Sequence, residues 1–450
     1  MQRPSKRWLD FTRITMKKYD AVILGGGIAG LTAAYELSKH GKYALVVERE
    51  KDLGGAVASY HFPTFTIEAF YHHFFPRDKD LQMLLSELQL HARIVWKEVP
   101  PAFFSKGKFY RLFKPMDLLS FSAISFLAKL ELCRLMLTIK MTKDPGKYDN
   151  CSVRDFIVRF GGKHVYDELF LHLLRSKYGS QADTISAAWF IERIQLRSHT
   201  GKQGEILGYL NGGFYQLVSR LQEEIRKTST ILCGSSADKI ETEKGKIIRV
   251  RINKKWYDAP VVLSTIPPHI LSSVIEFPEE YKHRISQHEY QPAICIMLGL
   301  KRPIGPYYWT NILEPSVFGA VVDHCNFMNQ RDYGNQHIVY LGSYVDVNSP
   351  LLTMSEESVF AQYFTNLKKL FPYMQDSDVL WKRVGRIRNA GLFYKKGIKK
   401  ILLPYVTPYT NLFIAGMFNS YPERSISDSV AKGKTLAKYY DIYRHRSTGL

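Results

Sequence analysis

One stretch near the start of the chain, from Tyr19 to Gly55, constrains the fold more than any other. An apolar run at residues 21–24 leads directly into Gly25-Gly26-Gly27-Ile28-Ala29-Gly30, and a helical pattern follows. A second apolar run at 44–47 then ends on Glu48. This order of strand, glycine turn, helix, strand and acid is typical of a dinucleotide-binding βαβ unit.

Each part of this unit has a physical role. Gly25 allows the tight turn, Gly27 lets the backbone approach a pyrophosphate, and Gly30 lets the helix pack closely on the sheet. The helix N-terminus at Ile28 and Ala29 offers free N–H groups to phosphates. Glu48 follows Gly30 by 18 residues, near the spacing of about 20 for the acid that binds ribose hydroxyls. The alternative is a βαβ unit with a purely structural role.

Two further glycine-containing blocks decide which dinucleotide is expected. Gly54-Gly55-Ala56 follows Glu48 closely, and near the other end an apolar strand at 411–415 closes on Gly416-Met417. Arg424-Ser425-Ile426 then opens a predicted helix over 426–440. Together the three blocks resemble the FAD-binding signature of the flavin amine oxidase and protoporphyrinogen oxidase superfamily, which also includes carotenoid and phytoene desaturases. The resemblance implies FAD, bound non-covalently because no cysteine lies in the C-terminal block.

The resemblance also implies a set of cofactor-binding residues. In the family the first block holds the ADP part of FAD, and the last block places a helix N-terminus under the pyrimidine ring of the flavin. A segment at 236–240 resembles the backbone that meets the adenine. The implied set is Gly25, Gly27, Ile28, Ala29, Gly30, Glu48, Arg49, Gly54, Gly55, Ala56, Ala237, Gly416, Met417, Arg424, Ser425 and Ile426.

Two aromatic motifs resemble a narrower subgroup. Residues 70–75 (FYHHFF) and 307–312 (YYWTNI) look like a bacterial and archaeal subgroup usually labelled protoporphyrinogen oxidase-like. The resemblance brings the first motif to the isoalloxazine, so that the catalytic candidates are Glu68, Tyr71, His72 and His73. Adjacent histidines on a strand would face opposite ways, so one of them at most would line the pocket; the alternative is a packed or exposed pair. Asp323-His324-Cys325-Asn326 is a second polar cluster, and no spacing predicts a metal site.

The expected fold class is α/β: a Rossmann-like FAD-binding domain of the amine oxidase type, interleaved with an α+β substrate-binding domain. The FAD-binding segments are predicted at 19–100, 205–275 and 385–450. Insertions at 101–204, predicted helical, and 276–384, predicted strand-rich, would build the substrate domain. Residues 1–18 are expected to form a disordered basic extension; the alternative is that Met1 is an upstream start codon and that the folded protein begins at Met16.

The net charge, the cysteines and the glycine-rich motifs limit the ligands and partners that the sequence predicts. Sixty-two basic and forty-two acidic residues give a net charge of +20, without any nucleic-acid-binding motif. The five cysteines are scattered, which argues against a disulfide framework or a zinc site. Only one glycine-rich fingerprint is present, so no stable NAD(P) site is predicted. Electrons are expected to pass to oxygen, a quinone or a protein acceptor, among which the sequence does not choose.

Two stretches bear on membranes. Residues 118–141 read as an amphipathic helix through Leu119, Ala123, Phe126, Leu130, Cys133 and Leu137. It is either a core or pocket-lining helix, or a surface helix that lies on a bilayer. Residues 381–400 carry eight cations and no acid, which suits a solvated face, anionic lipid headgroups or a phosphorylated substrate. No apolar run is long enough to span a bilayer, and we expect a cytoplasmic protein, free or peripheral on the inner face of a membrane.

Three functional hypotheses follow. The first is an FAD-dependent oxidoreductase that transfers a hydride between flavin N5 and a lipophilic or polycyclic small molecule, in the manner of an oxidase or desaturase. The second is a non-redox flavin enzyme of the sugar-nucleotide mutase type, in which the basic stretch after Trp381 would clamp a diphosphate. The third is a non-catalytic flavoprotein associated with a membrane.

Overall fold

The computed structural model describes residues 19–198, 201–422 and 424–448. The predicted extension at 1–18 lies outside these residues. In chain order the strands are β1 (Ala21–Leu24), β2 (Ala44–Val47), β3 (Ser59–His61), β4 (Thr66–Glu68), β5 (Ile94–Val99), β6 (Ala102–Ser105), β7 (Lys108–Arg111), β8 (Glu205–Leu210), β9 (Thr230–Leu232), β10 (Ala237–Glu243), β11 (Lys246–Ile252), β12 (Lys255–Asp258), β13 (Val262–Ser264), β14 (Tyr290–Leu300), β15 (Trp309–Ile312), β16 (Ala320–Asp323), β17 (His337–Tyr344), β18 (Val379–Leu392) and β19 (Leu412–Ile414).

The α-helices are α1 (Ile28–Lys39), α2 (Lys79–Glu87), α3 (Pro115–Ser120), α4 (Phe126–Met141), α5 (Val153–Phe160), α6 (Lys163–Val165), α7 (Leu171–Tyr178), α8 (Ala187–Gln195), α9 (Tyr215–Arg226), α10 (Pro268–Leu271), α11 (Glu279–Ser286), α12 (Glu356–Leu370) and α13 (Ile426–Thr448).

A five-stranded parallel sheet forms the first layer, in the order β19-β13-β1-β2-β9. Its strands come from three separate regions of the chain. The sheet is therefore complete only when strands from the N-terminal, central and C-terminal regions lie side by side. Strands β1 and β2 are buried along their whole length, as expected for a parallel sheet covered on both faces. The helices α1 and α13 pack side by side, and a methyl group at Gly433 would approach the Ala29 carbonyl oxygen to 2.5 Å.

A seven-stranded mixed sheet forms the second layer, in the order β18-β14-β17-β16-β15-β6-β7. Its central strand β14 is buried throughout and pairs antiparallel with β17 and β18. The domain boundary predicted at residue 385 falls inside β18, which stays in this sheet as far as Leu392, opposite Tyr290. The first insertion, predicted helical, also contributes β6 and β7 to the sheet. These pairings depend on distant partners, which a local pattern does not reveal.

The helix predicted over 118–141 differs from the structure in two ways. It is divided into α3 and α4, because the Ser125 hydroxyl accepts a hydrogen bond from the Ala128 N–H and begins a new helix there. The buried face of α4 carries Ala128, Leu132, Leu135 and Ile139, whereas the residues used for the prediction lie mainly on the outside. The interpretation of that predicted stripe as a core face is therefore wrong. Among the described residues, no helix is both long and apolar enough to cross a membrane.

Candidate functional site

The turn after β1 is shaped by close packing. Gly25 has a φ of +108°, a backbone conformation that favours glycine, and a methyl group at Gly30 would overlap the Gly25 carbonyl oxygen. Thr265 on the neighbouring strand end holds this turn through a 3.0 Å hydrogen bond from its hydroxyl to the Leu24 carbonyl. Packing thus requires glycine at both positions, whether or not a cofactor binds.

Gly27 is different, because its own chain leaves room around it. A Cβ atom there would meet nothing nearer than the Gly55 Cα atom at 3.9 Å, and its φ of −76° suits any residue. Neither packing nor backbone conformation demands glycine at the N-terminus of α1. The open space next to the N–H groups of Ile28 and Ala29 is the space that a pyrophosphate needs.

The other predicted ADP-binding residues lie around the same turn. Gly54 pairs with Gly27 in a parallel bridge, so the second glycine block lies beside the first. Glu48 directly follows β2, and its carboxylate accepts hydrogen bonds from the N–H groups of Gly26 (2.6 Å) and Glu50 (2.9 Å). Arg49, by contrast, is largely exposed and pairs with Glu50 at 3.0 Å. The two backbone donors fix the Glu48 carboxylate at the edge of the turn, where a ribose would lie.

The segment before Ala237 runs alongside the end of β2. The Ser235 N–H donates to the Glu48 carbonyl at 2.8 Å, and Gly234 donates to the Glu50 carbonyl at 2.8 Å. Ala237 then begins β10. The structure therefore brings Ala237 into the neighbourhood of Glu48, although they are far apart in the sequence.

The predicted residues of the C-terminal block lie near the N-terminus of α13. The Ser425 hydroxyl accepts a hydrogen bond from the Asp428 N–H at 3.0 Å, in the first turn of α13. Gly416 and Met417 follow β19, and the Met417 sulfur lies 3.6 Å from an Arg424 guanidinium nitrogen. The predicted residues of this block thus gather at the N-terminus of α13 with Ile426.

Arg424 reaches away from this block to the seven-stranded sheet. Its guanidinium donates to the Tyr344 hydroxyl at 2.8 Å and to the Ala390 carbonyl. It lies so close to β18 that a side chain at Gly391 would overlap it. Arg424 therefore joins the two layers, and sequence reasoning gave no indication of Gly391 as its contact.

Glu68 lies deep in the protein and is held there by neutral donors. It is 1% exposed. Its carboxylate accepts hydrogen bonds from the Tyr209 hydroxyl (2.6 Å) and from the Phe214 N–H. Burial raises the pKa of Glu68, and the two donors partly oppose the shift. These contacts tie β4 to the glycine-containing segment before α9, which is a positioning role.

His72 and His73 are not on a strand, but they do point to different surroundings. The Nδ1 atom of His72 lies 2.7 Å from the Phe70 carbonyl oxygen, and that of His73 lies 3.3 Å from the Tyr308 hydroxyl. Burial lowers the pKa of His72 to about 4, and burial with Arg197 and Arg193 lowers that of His73 to about 3. Both imidazoles are therefore neutral at physiological pH.

The two aromatic motifs meet in space. The Tyr71 ring contacts the Trp309 ring edge-on at 4.9 Å between centroids, and the His73 ring lies 5.9 Å from Tyr308 and 5.8 Å from Trp309. A side chain at Gly342 would approach the Tyr71 ring to 2.6 Å, so this glycine leaves the space that Tyr71 fills. The motifs thus form one aromatic wall on the inner side of the seven-stranded sheet.

The second polar cluster lies behind this wall. Asp323 is buried and accepts a hydrogen bond from the Ile304 N–H at 3.3 Å. Burial raises the pKa of Asp323 to about 7. The Nε2 atom of His324 lies 2.8 Å from the Tyr333 hydroxyl, and its ring packs against Tyr209. This cluster supports the core beneath Glu68 rather than facing the turn after β1.

The predicted basic stretch is divided between two places. Arg386 donates to the carbonyls of Leu351 and Met354, and Lys382 lies over the Phe360 ring at 4.1 Å, both on the outer side of the seven-stranded sheet. The following loop carries Lys396, Lys399 and Lys400, all exposed. These five cations of the stretch thus do not converge on the aromatic wall, and the diphosphate clamp expected from the stretch stays a prediction.

Sequence reasoning missed a group of cations that the fold does bring to the interior. The Lys177 Nζ atom, at the end of α7, lies 4.6 Å from the Trp189 ring centroid and 5.5 Å from that of Tyr344. Burial lowers the pKa of Lys177 well below its ordinary value, and Arg193, Arg424 and Arg197 lower it further. A single lysine in the segment RSKYG carries no motif, so no signal in the sequence marks it. Within the described residues, no set of side chains is arranged to hold a metal ion.

This chain is similar to known proteins both in sequence and in fold. The model of a family described as flavin containing amine oxidoreductase matches residues 28–439. The structure of a protein described as a protoporphyrinogen oxidase from Exiguobacterium sp. 255-15 superposes with a TM-score of 0.75 and 20% identity, over 96% of this chain and 100% of that one. Reduced UDP-galactopyranose mutase superposes with a TM-score of 0.72 and 15% identity, over 97% and 96% of the two chains. At these identities the likeness shows the shared fold, and the predicted fold class is confirmed.

A curated relative is similar at the sequence level. Amine oxidase [flavin-containing] A from Bos taurus is 23% identical over 282 residues, which cover 58% of this chain. The chain spans about half of that enzyme's length, and less of the other curated relatives that it matches.

Proposed function

We propose that the chain, which belongs to the flavin containing amine oxidoreductase family, is an FAD-dependent oxidoreductase that oxidises a lipophilic, polycyclic small molecule by hydride transfer. The observation that carries the proposal is the aromatic wall of Tyr71, His73, Tyr308 and Trp309. Flat rings of this kind bind a flat apolar molecule by burying its surface and by ring–ring contact.

The residues around the turn after β1 fit FAD. Gly27 leaves open space at a helix N-terminus for the pyrophosphate, and the Glu48 carboxylate is held at the edge of the turn for the ribose. The block of Gly416, Met417, Ser425 and Ile426 would hold the flavin end without a covalent bond. When bound, the isoalloxazine supplies the two-electron acceptor for the hydride.

The chain itself would bind, orient and shield the substrate. The aromatic wall would exclude water from the reacting face of the bound substrate. The Tyr308 hydroxyl fixes the His73 ring, which stays neutral because burial disfavours its charged form. A neutral imidazole of low basicity is a weak proton acceptor, so His73 is better suited to positioning the substrate than to removing a proton.

We further propose that the substrate resembles that of the protoporphyrinogen oxidase-like subgroup rather than a simple amine. The two motifs that resemble this subgroup contact each other directly through Tyr71, His73, Tyr308 and Trp309. An alkylammonium ion would also meet the positive charges of Lys177 and Arg424, which would raise the free energy of its bound state.

The test is anaerobic reduction of the flavin by defined compounds. Purified protein should be yellow and release FAD on heating. A porphyrinogen should bleach the flavin within minutes, whereas putrescine and benzylamine at the same concentration should not. Reoxidation by air and by a soluble quinone, measured separately, then identifies the electron acceptor.

Other outcomes would contradict the proposal. Bleaching by amines alone would assign an amine oxidase. Conversion of a nucleotide sugar by the dithionite-reduced protein, without net electron uptake, would favour the mutase hypothesis. A flavin that resists both photoreduction and dithionite would indicate a non-catalytic flavoprotein.

A further inference from the structure

We propose that Lys177 and Arg424, which both lie beside the Tyr344 ring, form a binding site for an anionic group of the substrate, a carboxylate or a phosphate monoester. This inference rests on the proposed function, because it names a second recognition element of the same site. The elements that carry it are α7 and α8, which are neighbours in the sequence, and the segment before α13, which is far from both.

The first observation is that two of these cations lack an acidic partner. No carboxylate among the described residues lies within ion-pair distance of Lys177 or Arg424. Arg424 donates to neutral groups, the Tyr344 hydroxyl and the Ala390 carbonyl. Lys177 is surrounded by the rings of Trp189, Tyr178 and Tyr344 at 4.6–5.5 Å. Buried cations ordinarily have an opposite charge nearby, since desolvation without one costs several kcal/mol.

The second observation is that the positive charges converge. The charges of Arg193, Arg197 and Arg424 all act on Lys177, and those of Arg193 and Arg197 also act on His73 in the aromatic wall. Arg197 has a carboxylate beside it, that of Glu205 at 3.4 Å. Lys177 retains some accessible surface although protein surrounds its ammonium group. An anion beside it would neutralise the excess charge and oppose the lowering of the Lys177 pKa.

The arrangement implies a substrate with two parts. Its apolar ring system would lie on the aromatic wall, and its anionic group would lie between Lys177 and Arg424. A guanidinium can hold a carboxylate or phosphate through two parallel hydrogen bonds, and an ammonium adds a point charge.

The test uses small aromatic probes and the flavin spectrum. Benzoate and phenyl phosphate should perturb the absorption of bound FAD in the parent protein, and benzamide, the neutral analogue of benzoate, should bind at least tenfold more weakly. Lys177→Met should weaken benzoate binding about tenfold or more and leave benzamide unaffected. Lys369→Met, which removes one exposed charge from α12, is the matched control and should bind both probes as the parent does.

Three results would contradict the proposed anion-binding site. Equal affinity for benzoate and benzamide would show that the protein does not recognise the negative charge. Unchanged benzoate binding in Lys177→Met would show that Lys177 does not contact the anion. A changed flavin reduction potential in Lys177→Met, with benzoate affinity unchanged, would show that the cations act on the reduced flavin instead. Porphyrinogen-driven bleaching is measured separately, so failure of the anion site and failure of the proposed function are distinguishable.

An independent observation concerns the outer surface. We infer that one face of α3 and α4, here called the α3–α4 face, docks on an anionic lipid bilayer. Seven large apolar side chains on this face are 47–79% exposed: Met116, Leu119, Phe126, Leu127, Leu130, Leu137 and Met141. An exposed apolar surface patch of this size, formed by two adjacent helices, marks an interaction site.

The tertiary structure surrounds one end of this face with cations. Lys140, Lys143 and Lys147 are exposed at the end of α4 and just beyond it. The loop with Lys396, Lys399 and Lys400 is fastened beside them, because the N–H groups of Gly397 and Lys399 donate to Asp149. The Lys399 Nζ atom lies 3.6 Å from the position of a Cβ atom on Gly146.

The nearby acids are already engaged within the protein. Glu131 accepts from the Val165 N–H, Asp144 from the Gly146 N–H, and Asp117 pairs with Arg111. An apolar face with a positive margin is complementary to anionic headgroups over an acyl interior. The inner side of α4 also contacts α8, where the Gln195 side chain donates to the Ile139 and Thr142 carbonyls at 2.8 Å. A lipophilic substrate would therefore leave the bilayer close to the helix that carries Trp189 and Arg193.

Co-sedimentation with vesicles tests this surface. The parent protein should pellet with vesicles of phosphatidylcholine and phosphatidylglycerol at low salt and much less with pure phosphatidylcholine. Phe126→Ser/Leu130→Ser should reduce pelleting on anionic vesicles strongly, whereas Ile442→Ser, at a similarly exposed position on α13, should not. Each lysine changed to glutamine at 399 or 400 should lower the partition coefficient about fivefold.

Negligible pelleting on both vesicle types would overturn the inference. So would equal pelleting of the parent and the Phe126→Ser/Leu130→Ser variant. A concentration-dependent dimer in sedimentation velocity, lost in that double variant and without vesicle binding, would assign the face to a second copy of the chain instead.

Discussion

Replacing Glu68 separates a positioning role from a catalytic one. Glu68→Ala would leave the Tyr209 O–H and the Phe214 N–H buried without an acceptor. An orphaned buried donor costs about 1–3 kcal/mol, so the loss of both should lower the free energy of unfolding by about 2–6 kcal/mol. Glu68→Gln keeps the shape of the side chain. Its amide oxygen can accept from Phe214 and its amide nitrogen can donate to the Tyr209 oxygen, so its cost should stay below about 1.5 kcal/mol.

The assay is urea unfolding of the FAD-loaded protein, followed by tryptophan fluorescence and by flavin release, together with the rate of anaerobic bleaching. We expect Glu68→Gln to bleach at close to the parent rate and Glu68→Ala to lose flavin at lower urea. An unfolding midpoint of Glu68→Ala equal to that of the parent would refute the role of the two hydrogen bonds. A normally stable Glu68→Gln that binds FAD but no longer bleaches would make Glu68 a catalytic residue.

Three further predictions follow from the site. Gly27→Ala should fold normally but bind FAD at least tenfold more weakly, whereas Gly30→Ala should lower thermal stability even without cofactor, because its methyl group would overlap the Gly25 carbonyl; equal stability of the two apoproteins would contradict this. Between about pH 4 and 7, Asp323 holds a proton in the folded state and not in the unfolded state. Stability should therefore fall with rising pH by up to about 4 kcal/mol, and Asp323→Asn, compared with the parent by urea unfolding at pH 5 and pH 8, should abolish that fall. Because His72 and His73 are neutral above about pH 5, the pH profile of flavin bleaching should show no ionisation near 6.5 that disappears in His72→Gln or His73→Gln.

The sequence predicted the strand–turn–helix arrangement around Gly25 because the signals for it are local. The order of strand, glycine turn, helix and acid places Gly25, Gly30 and Glu48 within one continuous segment, and the neighbours of each are set by the chain on either side. The blocks around Gly54 and Gly416 were recognised by resemblance in the same way. Their assembly follows from the parallel sheet, where the strands end side by side.

The sequence was least informative where contacts join distant segments. The helical period of residues 118–141 was visible, but which stripe faces the core depends on the partners that α4 meets, and the structure buries the Leu132 stripe instead. Lys177, Trp189 and Arg424 have no shared motif, because they approach one another only when α7, α8 and the C-terminal segment pack on the second sheet. Local spacing thus determined the βαβ unit and the glycine turn after β1. The tertiary structure decided which charges and rings face the interior, since burial and electrostatic interaction depend on distance in space rather than along the chain.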